Sequence, residues 1–158
     1  MKPLLEVRHL SISFHTYRGL LEAVHAVSLT VHAGETVGIV GESGCGKSVT
    51  SQAVMKLLPQ RAAEYQSGEI LWEGRDILPL SERDMNGLRG RDMAMIFQAP
   101  MTSLNPVLTI GAQLCEGLAL YQKLSKNEQR EKALELLKAV GLTSPEKRLR
   151  SEERRVGK

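Results

Sequence analysis

Lys47 and Ser48 close the octet Gly41-Glu42-Ser43-Gly44-Cys45-Gly46-Lys47-Ser48, which fits the pattern G-x-x-x-x-G-K-[ST]. Glycines at these offsets let successive backbone N–H groups turn toward one anion, and a helix that starts at the end of the octet adds its partial positive charge. In such a loop Lys47 reaches the β- and γ-phosphates of a nucleotide as a point charge, and the Ser48 hydroxyl ligates Mg²⁺. The plain alternative is a glycine turn between strand and helix, and the flanking residues decide against it. Upstream, Thr36-Val37-Gly38-Ile39-Val40 is a short apolar run with the β-branched content of a buried parallel strand. Downstream, Val49, Ala53 and Leu57, with Val54 and Leu58, recur at helical spacing from Ser48 to Leu58, and Pro59 is expected to end that helix. Strand, glycine loop and helix are the context the phosphate chemistry requires.

The rest of the chain must position that loop. With 158 residues, 42% hydrophobic and 25% charged, it has the make-up of one folded domain with a core. No window approaches the roughly 20 apolar residues of a membrane span, and Met1-Lys2-Pro3-Leu4 runs straight into a strand pattern, so a cytosolic chain is expected. Cys45 and Cys115 have neither metal-ligand spacing nor a reason to pair, and both are expected to be reduced bystanders, with Cys45 in the loop the candidate for oxidation. The net charge of +3 comes from the last twelve residues, which carry six basic and two acidic groups, so no nucleic-acid face is expected.

Leu10, Ile12 and Phe14, then Val27, Leu29 and Val31, alternate as two antiparallel strands within 4–14 and 23–31, joined through the polar His15–Gly19. Tyr17 in that connection can stack on a purine or simply be a loop tyrosine; the residues leave both open. Residues 59–68 read as a polar loop, Gly68–Gly74 as a short strand, and Ser81 as the N-cap of a helix to Leu88. Met93–Phe97 reads as a core strand ending in Gln98, a suitable place for a site residue. Helices are expected over Thr109–Tyr121, with Ile110, Leu114 and Leu118 inward, and after the capping box Ser125–Glu128, with Ala133, Leu136, Leu137 and Val140 inward before Gly141.

Taken together, Gly41–Ser48, Gln98 and the run Met95-Ile96-Phe97-Gln98-Ala99-Pro100-Met101-Thr102-Ser103-Leu104-Asn105-Pro106 resemble the ATP-binding subunits of ABC transporters, near the branch serving di- and oligopeptide or nickel importers. Leu10–Phe14, Ala33-Gly34-Glu35, Gly68-Glu69-Ile70 and Val107–Gly111 match as well, so the resemblance spans about Leu4 to Leu149. It implies an α/β fold, a P-loop NTPase core with an N-terminal antiparallel β subdomain and the start of an α-helical subdomain. The expected division is 1–98 for the β subdomain and core, and 99–149 for the helical subdomain. Ser43, Gly44, Cys45, Gly46, Lys47, Ser48 and Val49 are then expected to cradle the phosphates of ATP, and Gln98 to touch Mg²⁺ or the attacking water. Tyr17 is expected to stack on adenine, with Phe14 as its competitor. The implied partners are transmembrane permease subunits, met by the helical segment from Met101 onward, and a second ATP-binding subunit, at the cytoplasmic face of the membrane.

Two departures qualify this. The acid that usually follows the glutamine is Ala99 here, which removes one charge near the site. The family's signature loop, its second aspartate motif and its switch histidine have no counterpart in the 158 residues, where His9, His15, His25 and His32 all precede the phosphate loop. Residues 150–158 are instead a charged run, read as a truncated or foreign end with a natural solvated tail as the plain alternative, and the family's later core strands are expected to lie outside these 158 residues. A chain of this extent is expected to expose a sheet edge and to bind Mg·ATP while hydrolysing it negligibly. Competing readings are a non-catalytic nucleotide-binding fragment and a phosphate-loop kinase or GTPase; the latter lacks an Asn-Lys-x-Asp motif.

Overall fold

A computed structural model describes residues 2–98, 104–122 and 124–150. The chain divides into two compact units, Met1–Arg89 and Gly90–Lys158.

The first unit is built on an antiparallel sheet in the order β2-β1-β3-β4, from β1 (Pro3–Thr16), β2 (Gly19–His32), β3 (Ala63–Trp72) and β4 (Arg75–Asp76). Strands β1 and β2 run longer than their hydrophobic alternation suggests, because the two-residue turn Tyr17-Arg18 lets pairing continue to Thr16↔Gly19. The period of two breaks at His9 and Ala26, both with positive φ, and the register of β1 shifts there against both neighbours. This is the behaviour of a bulge, and serines satisfy backbone groups around it. His9 N–H donates to Ser28 Oγ, Ala26 N–H to Ser11 Oγ, and Ser67 Oγ–H to the His9 carbonyl. Gly68 lies across the bulge at φ +100°, where a Cβ would come within 2.6 Å of the Arg8 carbonyl oxygen. The strand expected from Gly68 therefore begins earlier, at Ala63, since residues 63–67 find partners in the second half of β1.

Helix α1 (Lys47–Val54) turns Thr50 and Ala53 inward, and α2 (Glu82–Leu88) turns Met85 inward. With Val7, Leu10, Ile12, Val24, Ile70 and Ile77 they make up the core of this unit. Helix α1 stops before Pro59. Leu57 N–H bonds the Gln52 carbonyl and Lys56 N–H the Ala53 carbonyl, both at 2.9 Å, with Lys56 left-handed at φ 51°. That is a Schellman closure built on a lysine where glycine is usual.

The expected strand at Thr36–Val40 is not a strand, and neither is Met93–Phe97. A strand exists through the hydrogen bonds of its neighbours, and among the described residues neither run is paired over its length. Val40 and Ile96 are 96% and 98% exposed.

The second unit holds α3 (Ile110–Tyr121), α4 (Lys126–Ala139) and α5 (Pro145–Leu149). Ile110, Leu118, Ala133, Leu137 and Leu149 form its core, flanked by Leu114, Cys115 and Leu134. The short α5 has no periodic signal of its own. It approaches α3 so closely that a Cβ on Gly111 would lie 2.7 Å from the Leu149 carbonyl oxygen. Leu136 and Val140, expected inside, are exposed, because α4 is covered on one narrow face only.

Candidate functional site

The octet Gly41–Ser48 forms a turn that feeds directly into α1, as its spacing requires. Gly44 and Gly46 take φ values of +85° and +89°. Gly46 is the N-cap of α1, and its missing side chain is structural: a Cβ there would sit 2.6 Å from the Ala23 carbonyl oxygen and 3.3 Å from Val24 Cγ2 on β2. The sheet thus holds the loop by backbone approach.

The first intrahelical bond of α1 is Thr50 N–H to the Gly46 carbonyl at 2.8 Å, doubled by Thr50 Oγ1–H at 3.0 Å. No side chain caps this helix, so the N–H groups of Lys47, Ser48 and Val49 have no intrahelical acceptor. They form, with the positive end of the helix, a set of donors suited to an anion. Lys47 folds back over the loop, its Nζ donating to the carbonyls of Gly41 (2.7 Å) and Glu42 (2.6 Å) and to Cys45 Sγ (3.3 Å). The ammonium is therefore centred on the turn. The Ser48 hydroxyl is exposed, with no partner among the described residues. An open groove of about 380 Å³ adjoins the loop, lined by Val27, Leu29, Val37, Ile39, Val40 and Lys47.

These features fit a nucleotide polyphosphate. They also fit Mg²⁺, in the limited sense that Ser48 can offer one oxygen while phosphate oxygens and water supply the rest. No group of three or more His, Cys, Asp or Glu side chains among the described residues can cage a metal.

Tyr17 stands at the tip of the β1–β2 hairpin, 90% exposed, with the Arg18 guanidinium carbon 5.1 Å from its ring centre. Phe14 is within β1, half-buried and paired with Leu21 and Ala63. Gln98 belongs to the second unit, where it is exposed at a bend. The first unit therefore brings together Gly41, Ser43, Gly44, Cys45, Gly46, Lys47, Ser48 and Val49. Ala99, the segment Met101–Ser103 and the charged run after Arg150 lie outside the described residues.

The far end of α1 was not legible in the motif. Arg89, only 15% exposed, donates from Nε to the Met55 carbonyl (2.8 Å) and from Nη2 to the Lys56 carbonyl (2.9 Å), while its Nη1 meets Glu82 (2.8 Å). The bond from Arg89 holds the Glu82 carboxyl below its ordinary range. Lys56 Nζ donates to the carbonyls of Leu78 and Leu80, both at 2.7 Å. Arg89 follows the α1 helix by more than 30 residues, and only the fold makes them neighbours.

The family model described as ABC transporter matches residues 24–156. The chain is 52% identical over 146 residues to the oligopeptide transport ATP-binding protein OppD of Bacillus subtilis (strain 168), covering 92% of this chain and 41% of that protein. It is 49% identical over 150 residues to the dipeptide transport ATP-binding protein DppD of the same organism, covering 95% and 45%. It thus spans less than half the length of these curated relatives. Among solved structures, the dimeric bacterial ABC transporter cassette MJ0796 has a TM-score of 0.79 at 23% identity, covering 94% of this chain and 61% of that one. The same cassette in a post-hydrolysis state bound to ADP and Pi scores 0.78 at 22% identity, covering 95% and 62%. At such identities the structural likeness speaks for the fold alone, an α/β cassette; the match of the family model over most of the sequence, together with relatives near 50% identity, goes further, and the chain belongs to the ABC transporter family.

Proposed function

We propose that the chain is the nucleotide-binding part of an ABC importer's ATP-binding subunit that serves di- or oligopeptide uptake. The observation that carries this reading is the open loop, with three first-turn N–H groups free of intrahelical acceptors and the Lys47 ammonium folded back onto the loop carbonyls of Gly41 and Glu42, in a chain about half identical to oligopeptide and dipeptide transport ATP-binding proteins. In it, Ser43 to Val49 surround the phosphates, Lys47 leaves its loop carbonyls for the phosphate oxygens, and Ser48 gives its hydroxyl to Mg²⁺. Tyr17 stacks on the adenine, a role its exposure at the hairpin tip allows. Gln98 serves the metal or the attacking water. The division into a β subdomain with the loop (1–98) and a helical subdomain (99–149) belongs to the same reading, as do permease subunits and a second ATP-binding subunit as partners at the cytoplasmic membrane face. No described helix is long and apolar enough to cross a membrane, so on this reading attachment is through partners.

Phosphoryl transfer depends on positioned charge, and the 158 residues contain no second aspartate motif and no Ser-Gly-Gly loop. The chain alone is therefore expected to bind Mg·ATP and to turn it over negligibly. Titration calorimetry with Mg·ATP, beside Lys47→Ala, tests this. Binding that disappears in the variant supports the reading, and absent or Lys47-independent binding overturns it. Steady turnover abolished by Lys47→Ala would overturn the non-catalytic part alone. The stacking role of the exposed Tyr17 also has a simple check, since Tyr17→Ala should weaken ATP binding more than Phe14→Ala.

A further inference from the structure

We propose that Arg89 is a positioning residue for nucleotide binding, a strut that clamps the C-terminal end of α1 to α2 and thereby fixes the pose of the phosphate-binding donors at the other end. The proposal rests on the nucleotide reading above.

Helix α1 has eight residues and so a length of about 12 Å. A helix that short is not stable in isolation, and its hydrogen bonds form or break nearly together. Its N-terminal end gives up the side-chain cap that would have helped it. Stability must enter from elsewhere, and the carbonyls at the C-terminal end show where. The Gln52 carbonyl accepts from Leu57 N–H; the Ala53 carbonyl accepts from Lys56 N–H and from Tyr65 Oη–H at 3.2 Å. The Met55 and Lys56 carbonyls both accept from Arg89, whose remaining contacts, Glu82 and Asn86, lie on α2. A guanidinium is the group for this task, since its planar fork serves two carbonyls and a carboxylate at once and places positive charge at the negative end of the helix. Lys56, left-handed at φ 51°, is pinned in that conformation by its own two bonds to Leu78 and Leu80. The turn that ends α1 is thus held by side chains from both directions.

The test compares the 158-residue chain with Arg89→Lys, Arg89→Met and Glu82→Gln. Amide hydrogen exchange at Thr50 and Ser51 is read without nucleotide, and the Mg·ATP dissociation constant by calorimetry. In Arg89→Met, exchange at Thr50 should accelerate at least about fivefold and the dissociation constant should rise about tenfold, with Arg89→Lys between the variant and the parent because an ammonium replaces the fork with a single point. A purely local cap would speed exchange only at residues 55–57 and leave Thr50 and the affinity unchanged; that result overturns the proposal. If Arg89→Met does not fold, Arg89→Lys and Glu82→Gln decide, with an expected two- to threefold weakening, roughly, and an unchanged affinity in both refuting the strut. Should the parent chain bind no Mg·ATP while Arg89→Met still accelerates Thr50, the nucleotide reading falls and the mechanical coupling through α1 stands.

Discussion

Helices α1 and α4 begin in opposite ways. At α4, Ser125 accepts from Glu128 N–H and the Glu128 carboxylate accepts from Ser125 N–H, so the chain closes its own donors in a capping box. At α1 the cap position is Gly46, left-handed and without a side chain, and the donors of the first turn stay open. A cap satisfies the helix at once and leaves nothing to offer a ligand. An open start with glycine at the cap gives up that local stabilisation, worth about 0.3 kcal/mol relative to a serine cap. In exchange it keeps its donors open for the proposed phosphate site, and the missing stability has to come from packing against β2 and from the far end of the helix. The difference between structure and function here is one of who satisfies the N–H groups.

The largest effect expected from breaking this contrast is at Gly46. Gly46→Ala combines a left-handed φ of +89° with a Cβ only 2.6 Å from a backbone carbonyl oxygen, which cannot swing aside. The loop should be displaced from β2, with a loss of at least about 2 kcal/mol in urea unfolding and no measurable Mg·ATP binding. Gly44→Ala meets nothing within 4 Å and should cost only the conformational share, about 1–2 kcal/mol. Equal costs at the two glycines would show that β2 does not hold the loop.

The sequence displays these local features unevenly, for physical reasons. The octet, the Ser81 cap and the Ser125 box depend on residues within a few positions of one another, and each is found where its pattern lies. The runs Thr36–Val40 and Met93–Phe97 have the apolar content of strands, which records a preference for burial and not the presence of a neighbour. Ile70 in β3 is fully buried between paired strands, whereas Val40 is 96% exposed. Pro59 is the stop signal that the sequence carries for α1, yet the chain ends the helix earlier through Lys56, whose side chain bonds carbonyls more than 20 residues away. Arg89 was invisible for the same reason. Of the site itself, the loop was legible because its chemistry is contiguous, while its mechanical support is assembled by the fold.

A middle-sized effect tests the closed start. Ser125→Ala removes the hydroxyl that accepts from Glu128 N–H, and should lower the stability of the helical unit by about 1 kcal/mol. Amide exchange should quicken in the first turn of α4, and Mg·ATP binding should not change, since that unit's cap serves no phosphate. A loss of affinity on Ser125→Ala would mean the two helix starts are not independent.

The smallest effect lies at the closed end of α1 and has a pH signature. Tyr65 Oη–H donates to the Ala53 carbonyl, and burial pushes its phenol up to about 12, with the Arg89 guanidinium pulling the other way. The neutral phenol is favoured in the folded chain, whereas the unfolded chain ionises near its ordinary value of about 10. The stabilisation from Tyr65 is therefore complete below about pH 10 and is lost as the pH rises toward about 12. Tyr65→Phe keeps the packing and drops both the bond and the titration. At pH 8 it should cost about 0.5 kcal/mol, the lower end for a net hydrogen bond. Between pH 8 and 11 the parent should lose more stability in urea unfolding than Tyr65→Phe, so the two curves should converge and then cross. Parallel curves would mean that the phenol is equally free to ionise in both states, and that the clamp on α1 is carried by Arg89 and Lys56 without it.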